Sequence, residues 1–439
     1  MENNVSSRTR IKENMSWKIS CIKSSLVVHF FITIFGSATW IGVNGIFAEL
    51  PLLIKTAPEK EKLASYLVII IQIANVAPFT YSLIKHMNNR LSETNCILCM
   101  LVIGTAAMGL LAFFYNKTSR IIEIEYSAAL FIMTFFIATV GCTSSVLFMP
   151  YLKNFREIYL VSYFIGEGLS GLVPSIISFI QGVNNNLCHS NNTENSVIFN
   201  SALPRFQPKD YFFSIFVFFL LSTVAFILLD NLPFVKKEKK SIMLDHQTIS
   251  EFANNSTLSN KAKKEDASLN STYLFITLSG ICFLSNGLLP SLQPYSCLSY
   301  GNWVYHLSIN FSQIANPIAC VLAIWFSVTD EKIFNLLIML ISCVSVYICY
   351  LAFSSPHPPL QDSKIGKALV ILSWGLISGI VSFVKLIIIS ILRIKSEDSL
   401  ITVGVVMQAG SACGAIFSFI LISCTNFLKE FDACNALQN

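Results

Sequence analysis

The 439-residue chain is 54% hydrophobic and only 13% charged, with a mean hydropathy of +0.62. Soluble domains carry about a quarter charged residues, so the composition excludes an ordinary soluble globular protein. A formal charge of +5 spread over such a chain does not point to nucleic acid and leaves the lipid bilayer as the expected surroundings.

Apolar stretches of roughly 20 residues recur along nearly the whole chain, each able to cross a ~30 Å hydrocarbon core. Backbone groups in lipid must be satisfied within the segment, so these stretches are helices. About eleven such spans are expected, at 26–46, 66–84, 95–115, 126–149, 159–183, 211–229, 273–290, 304–326, 333–353, 366–392 and 399–424. The expected fold is an all-α polytopic membrane protein with six helices in a first bundle (26–229) and five in a second (273–424). Residues 1–25 form an N-terminal tail, 230–272 a polar linker with basic runs, and 425–439 a C-terminal tail. Span one is too long and too polar for a signal-peptide core. Placing the N-terminus inside gives 19 of the 30 Lys and Arg to cytosolic segments and 10 to outer ones, counting Lys367 at the outer edge of span ten with the latter. That bias follows the positive-inside rule and puts the C-terminus outside. The sequons at Asn116 and Asn191 then face outward as glycosylation acceptors.

Polar side chains inside spans are costly against lipid and usually face a bundle interior or an aqueous cavity. Span one offers Trp40, Asn44 and Glu49, with Pro51 expected to end the helix. Gln72 and Asn75, three apart in span two, share one helix face. Span four brings Ser144 and Ser145 close to Phe148, and span five sets Glu167 between two glycines with Ser170 one turn later. Span seven carries Asn286, then Gln293 and Tyr295. Span eight holds His306, Asn310, Gln313 and Asn316; Lys385 and Gln408 occupy spans ten and eleven. For any one Ser or Thr, a bond to its own helix or to a neighbour is the ordinary role. Lys385, towards one end of its span, could equally snorkel to the interface. Together, amides and aromatics beside Pro and Gly in both halves are the pattern of interrupted helices around a midplane site. Amides read hydrogen-bonding edges and aromatic rings stack on flat solutes, so a polar, planar, nearly neutral ligand is expected.

Catalytic signatures are missing: there is no HExxH, Gly-rich phosphate cradle or GxSxG elbow, and no Asp within an expected span, so enzyme chemistry, a cofactor and a metal site are not expected. Most of the thirteen cysteines lie inside apolar segments, where a thiol behaves as a small hydrophobe. Carriage of a flat heterocycle such as a nucleoside or pterin, and a ligand-binding receptor or scaffold that does not transport, stay open on these residues alone.

The segments GSATWIGVNGIFAELPLLI, CTSSVLFMPYL, GEGLSGLVP, SNGLLPSLQPYSCLSYGNWVYHL, ANPIA and LSWGLISGIVSFVKL, in this order along the chain, resemble those of the animal plasma-membrane riboflavin transporters. The resemblance implies eleven spans, a cytosolic N-terminus and uptake of riboflavin by alternating access at the plasma membrane, without an absolute need for sodium. It also implies that uptake in some members answers to acidic pH, with protons as a possible second partner. Trp40, Phe148 or Tyr295 would stack on the isoalloxazine ring. Asn44, Gln72, Asn75, Asn286 and Gln293 would bond its edge or the ribityl hydroxyls. Glu49 matches the acidic residue of the family's ELP motif and Glu167 that of GEG, as candidates for proton exchange or for tuning cavity polarity. Relatives often carry a cysteine before span ten that pairs near the C-terminus. Here that position is His357 while Cys434 remains, so a Cys188–Cys297 bridge between outer segments is the alternative considered.

Overall fold

A computed structural model describes residues 26–87, 92–121, 123–152, 155, 158–183, 187–190, 197–200, 204–233, 235–236, 270–325, 330–395 and 399–431. Asn191 and Cys434 lie outside this set, as do most of the N-terminal tail and the linker. The first half comprises α1 (Leu26–Ser37), α2 (Ile41–Leu53), α3 (Leu63–Ile73), α4 (Val76–Met87), α5 (Glu93–Phe114), α6 (Ala128–Leu152), α7 (Ile158–Gln181) and α8 (Pro208–Asn231). The second comprises α9 (Ser271–Cys282), a π-helical turn (Phe283–Leu288), α10 (Leu289–Cys297), α11 (Asn302–Trp325), α12 (Glu331–Phe353), α13 (Lys364–Lys395) and α14 (Ser399–Ser423).

Among the described residues, nine helical stretches are long and apolar enough to cross a membrane, and α1 with α2 makes a tenth, bent by 51°. The eleventh expected span corresponds to α11, which is 24 residues long. The break in span one falls at residues 38–40 and not at Pro51. Trp40 leaves helical geometry there (φ −124°, ψ 3°), whereas α2 runs on through Pro51 to Leu53. The cause is local competition for carbonyls. Ser37 donates to Ile34 O at 2.7 Å and Thr39 to Gly36 O at 2.9 Å, displacing the helical ladder. Pro51 lies inside α2, two residues before its end, and does not terminate it.

Two antiparallel hairpins, β1 (Ser119–Ile121) with β2 (Ile124–Tyr126) and β3 (Leu187–Ser190) with β4 (Val197–Asn200), cap one end of the bundle, here the hairpin end. The opposite, linker end is where α8 stops and α9 begins. Each half has its own packing. Phe35 lies 4.6 Å from Phe148 and 5.1 Å from Phe226, ring centroid to centroid, at the centre of the first. Leu288, Leu292, Tyr295, Ala352 and Ile422 pack together in the second. In the first half α5 packs on α6 and α8, and in the second α11 packs on α13 and the π-turn on α14. The halves meet where α7 and α2 cross α11 and where α3 crosses α10 and α14.

Candidate functional site

The described contacts joining the halves gather in the hairpin half of the bundle. On one side, Ser178 Oγ and His306 Nε2 are 2.8 Å apart, and Asn310 Nδ2 donates to Ser178 Oγ at 3.4 Å. One turn deeper, Gln313 Nε2 donates to the Asn44 carbonyl at 2.9 Å while its Oε1 accepts from Ser175 at 3.0 Å. Close approach makes this possible. A Cβ on Gly168 would stand 2.9 Å from Pro317 Cβ, and one on Gly171 3.3 Å from the Gln313 carbonyl, so small residues let α7 lie directly on α11. On the other side, Tyr66 meets Phe419 edge-on at 5.2 Å and Phe431 N donates to the buried Glu61 carboxylate at 2.8 Å. Lys60 and Glu430 complete that edge at 3.8 Å, an exposed pair that contributes little.

Below the seam lies a band of half-buried polar side chains near the middle of their helices. Asn44 donates to Ser170 Oγ at 3.3 Å. Glu167, three residues before Ser170, is half-buried; its backbone carbonyl accepts from Ser170 Oγ at 2.6 Å, and no hydrogen bond to its carboxylate is seen among the described residues. Asn75 donates to Gln72 at 3.1 Å, so that pair satisfies itself in part. α3 and α14 run antiparallel, and the Tyr66–Phe419 contact sets their register, carrying Gln72 and Asn75 to the level of Ser411 and Gln408. Asn286 sits inside the π-turn, donates to Ser411 Oγ at 3.0 Å and accepts from Lys385 Nζ at 3.1 Å. Lys385 Nζ also donates to Ser285 Oγ at 2.7 Å. π-turns recur at functional sites because they free a carbonyl and re-aim side chains.

The residues singled out from the sequence therefore separate. Asn44, Gln72, Asn75, Glu167, Asn286 and Lys385 are half-buried at mid-depth, Trp40 borders them against Gly141, and Asn316, Gln408 and Ser145 are exposed there. Phe148 (0% exposed) and Tyr295 (1%) are enclosed, Phe148 against Phe35 and Tyr295 among Leu288, Leu292, Ala352 and Ile422, so neither ring presents an open stacking face in this form. Ser144 is buried and donates to the carbonyl of Gly141. Gln293 is buried near the hairpin end of α10. Glu49 is 1% exposed and accepts from Gln181 Nε2 at 3.0 Å, within the first half. Ser175 and Ser178 were not among the expected contacts, yet they build the seam with Gln313 and His306, while Gln181, also unexpected, ties α7 to α2 within the first half. Ser175, Ser178 and Gln181 recur every three residues on one face of α7, and that spacing was the signal available.

The expected Cys188–Cys297 bridge is not made. Cys297 is a free, fully buried thiol beside Ser296, whose hydroxyl accepts from Trp374 Nε1 at 3.2 Å, and a side chain enclosed that way cannot reach an outer hairpin. Asn116 is exposed in the turn before β1. Among the described residues no cluster of His, Cys, Asp and Glu is arranged to hold a metal ion.

The sequence model of the family described as "Solute carrier family 52, riboflavin transporter" matches residues 24–430. Member 3-A of that family from Danio rerio is 34% identical over 443 residues, covering 93% of this chain and 98% of the relative. Human member 3 is 32% identical over 467 residues, covering 94% and 99%. Among solved structures, the nucleoside transporter NupG superposes with a TM-score of 0.53 at 12% identity, covering 92% of this chain and 93% of the other. A D-xylose-proton symporter gives 0.52 at 14%, covering 91% and 89%. At such identities these two likenesses carry the fold alone, that of a two-bundle transporter.

Proposed function

This chain belongs to the solute carrier family 52 riboflavin transporters, and from that premise we propose that it carries riboflavin into cells across the plasma membrane by alternating access. It is a multi-pass membrane transporter and not an enzyme. The observation that carries the proposal is the mid-depth band of amides and charged groups contributed by both halves. Riboflavin joins a flat ring with carbonyl and ring-nitrogen acceptors to a polyhydroxyl chain, and Asn44, Gln72, Asn75 and Asn286 supply donors and acceptors of both kinds. Trp40 is the aromatic side chain of the expected set that borders the band, and it supplies the stacking face.

Alternating access is supported by where the halves touch. Their described contacts lie in the hairpin half, whereas no residue of α4, at the linker end, is buried. The form described here is closed at the hairpin end, which the distribution of Lys and Arg assigns to the outside. Export of the seam's hydrogen bonds to water during each cycle is the step that reopens it. Transport runs without sodium, and Glu167, half-buried with no hydrogen bond to its carboxylate among the described residues, is the carboxyl placed to make uptake answer to pH.

Uptake of radiolabelled riboflavin by riboflavin-auxotrophic cells expressing the chain tests this directly. Expected are growth at limiting vitamin, label in the cytosol, competition by excess unlabelled flavin and none by excess uridine, with choline substituting for sodium at no loss. Competition by uridine would replace riboflavin with a nucleoside, and surface label without cytosolic accumulation would make the chain a receptor. Glu167→Gln is expected to flatten the pH profile of uptake, and an unchanged profile removes that residue from the role.

A further inference from the structure

The polar group most at odds with its setting is Lys385. It lies well within α13, is half-buried, and makes no ion pair with a carboxylate among the described residues. A lysine that snorkelled would point towards the linker end. This one instead turns its ammonium onto the π-turn between α9 and α10, donating to Ser285 Oγ at 2.7 Å and Asn286 Oδ1 at 3.1 Å. The ammonium has three protons and these contacts use two.

The partner surface is fixed from behind. A Cβ on Gly287 would collide with the Gly414 backbone, and one on Gly414 with Phe283, so the π-turn and α14 touch backbone to backbone. That contact brings Ser411 to 3.0 Å from Asn286 Nδ2, which sets the amide with its oxygen towards the lysine. Asn286 is therefore oriented, Lys385 is oriented by Asn286, and the ammonium keeps one donor directed at neither.

Resting on the riboflavin reading above, we infer that Lys385, positioned by Ser285, Asn286 and Ser411, forms a subsite that binds the carbonyl edge of the flavin ring. A neutral solute with two ring carbonyls supplies an acceptor for the third ammonium proton, which has none among the described residues, and a charge-assisted bond to a carbonyl is stronger than a neutral one. The ribityl chain then lies towards Asn44, Ser170 and Gln313, where a polyhydroxyl chain finds paired donors and acceptors. Recognition of the ring's carbonyl edge belongs to the second half, its stacking to Trp40 of the first, and chain recognition to the seam between halves.

The test couples residue and substrate. Uptake inhibition is measured with riboflavin analogues in which the C2 or C4 carbonyl oxygen is replaced by sulfur, a much weaker acceptor. Wild type is expected to favour riboflavin over at least one analogue by about 10-fold, the scale of one hydrogen bond to a charged group. Lys385→Met at matched surface abundance is expected to bring that preference within about twofold, because both ligands then lack the donor. A purely structural lysine would lower uptake of all flavins without changing their ratio. Lys385→Arg, which keeps the charge with different geometry, supplies the ratio should the methionine variant not reach the surface, and is expected to reduce the preference only in part. An unchanged ratio in the variants, or no discrimination by wild type, overturns the subsite while leaving riboflavin transport intact. No riboflavin uptake by wild type overturns the transport reading itself.

Discussion

Glu49 places one carboxylate oxygen on Gln181 and leaves the other without a partner among the described residues, while Gln181 reaches the Phe206 carbonyl at 3.2 Å as well. One amide thus ties α2 to α7 and to the segment entering α8. Replacing it strands a buried acid, at a cost of ~1–3 kcal/mol. Gln181→Ala is accordingly expected to lower the thermal unfolding midpoint of the detergent-solubilised protein, and Gln181→Glu to lower it further by setting two acids together. Gly287 makes a steric prediction. Its added Cβ would meet backbone and not a movable side chain, so Gly287→Ala is expected to cost ~1–3 kcal/mol and lower surface abundance, read by surface biotinylation. Neither Gln181 nor Gly287 stands out in the sequence. Their importance comes from what lies opposite, and a single chain read linearly does not give its own neighbours. Phe148 and Tyr295 err the other way, because an aromatic near polar residues looks like a stacking surface until its burial is seen.

At the scale of elements, most of the helices were legible because a stretch of ~20 apolar residues has one solution in lipid. The bend in the first span was not placed correctly. Proline is the loudest local signal, yet α2 runs through Pro51, and the Ser37 and Thr39 hydroxyls at Ile34 and Gly36 mark the break instead. The π-turn at Phe283–Leu288 was also invisible, since its extra residue is accommodated by the Gly287–Gly414 contact and not by a local motif. The seam of α7 on α11 yields a mechanical prediction. Ser178 Oγ and His306 Nε2 lie 2.8 Å apart across the halves, so cysteines at both positions are expected to be joined by a short bifunctional thiol reagent with a disulfide in its spacer, to stop uptake, and to recover with reductant. Either cysteine alone should keep uptake after the same treatment. Uptake that continues with the link formed would mean this end does not open during transport.

For the molecule as a whole, the polar linker suggested a division into halves, but the end at which their contacts gather could not be read. Bilayer-embedded polar contacts average ~0.6 kcal/mol apiece, too little for composition to record. On the alternating-access reading, that smallness is what would let the seam open. His306→Ala with Asn310→Ala removes contacts to Ser178 and to the His306 carbonyl, and is expected to shift the population towards the form open at the hairpin end. A membrane-impermeant thiol reagent applied from outside to a cysteine introduced at Ser178 should then react faster than in the chain with an intact seam. Orientation has its own check. With the hairpin end outside, glycosidase is expected to shift the mobility of the wild type, and Asn116→Gln with Asn191→Gln to abolish that shift.

Helix α11 passes four amide or imidazole side chains, His306, Asn310, Gln313 and Asn316, through what must become membrane interior. Emerging alone from the ribosome, a segment of that character partitions poorly into lipid, because each such group carries an insertion penalty that its leucines only partly offset. It can settle only once α2 and α7, synthesised long before, present Asn44, Ser175 and Ser178 to receive it. The order of synthesis thereby becomes a proofreading step: a copy whose first half is misassembled has nowhere to lodge this segment and exposes it to quality-control surveillance before any vitamin is carried.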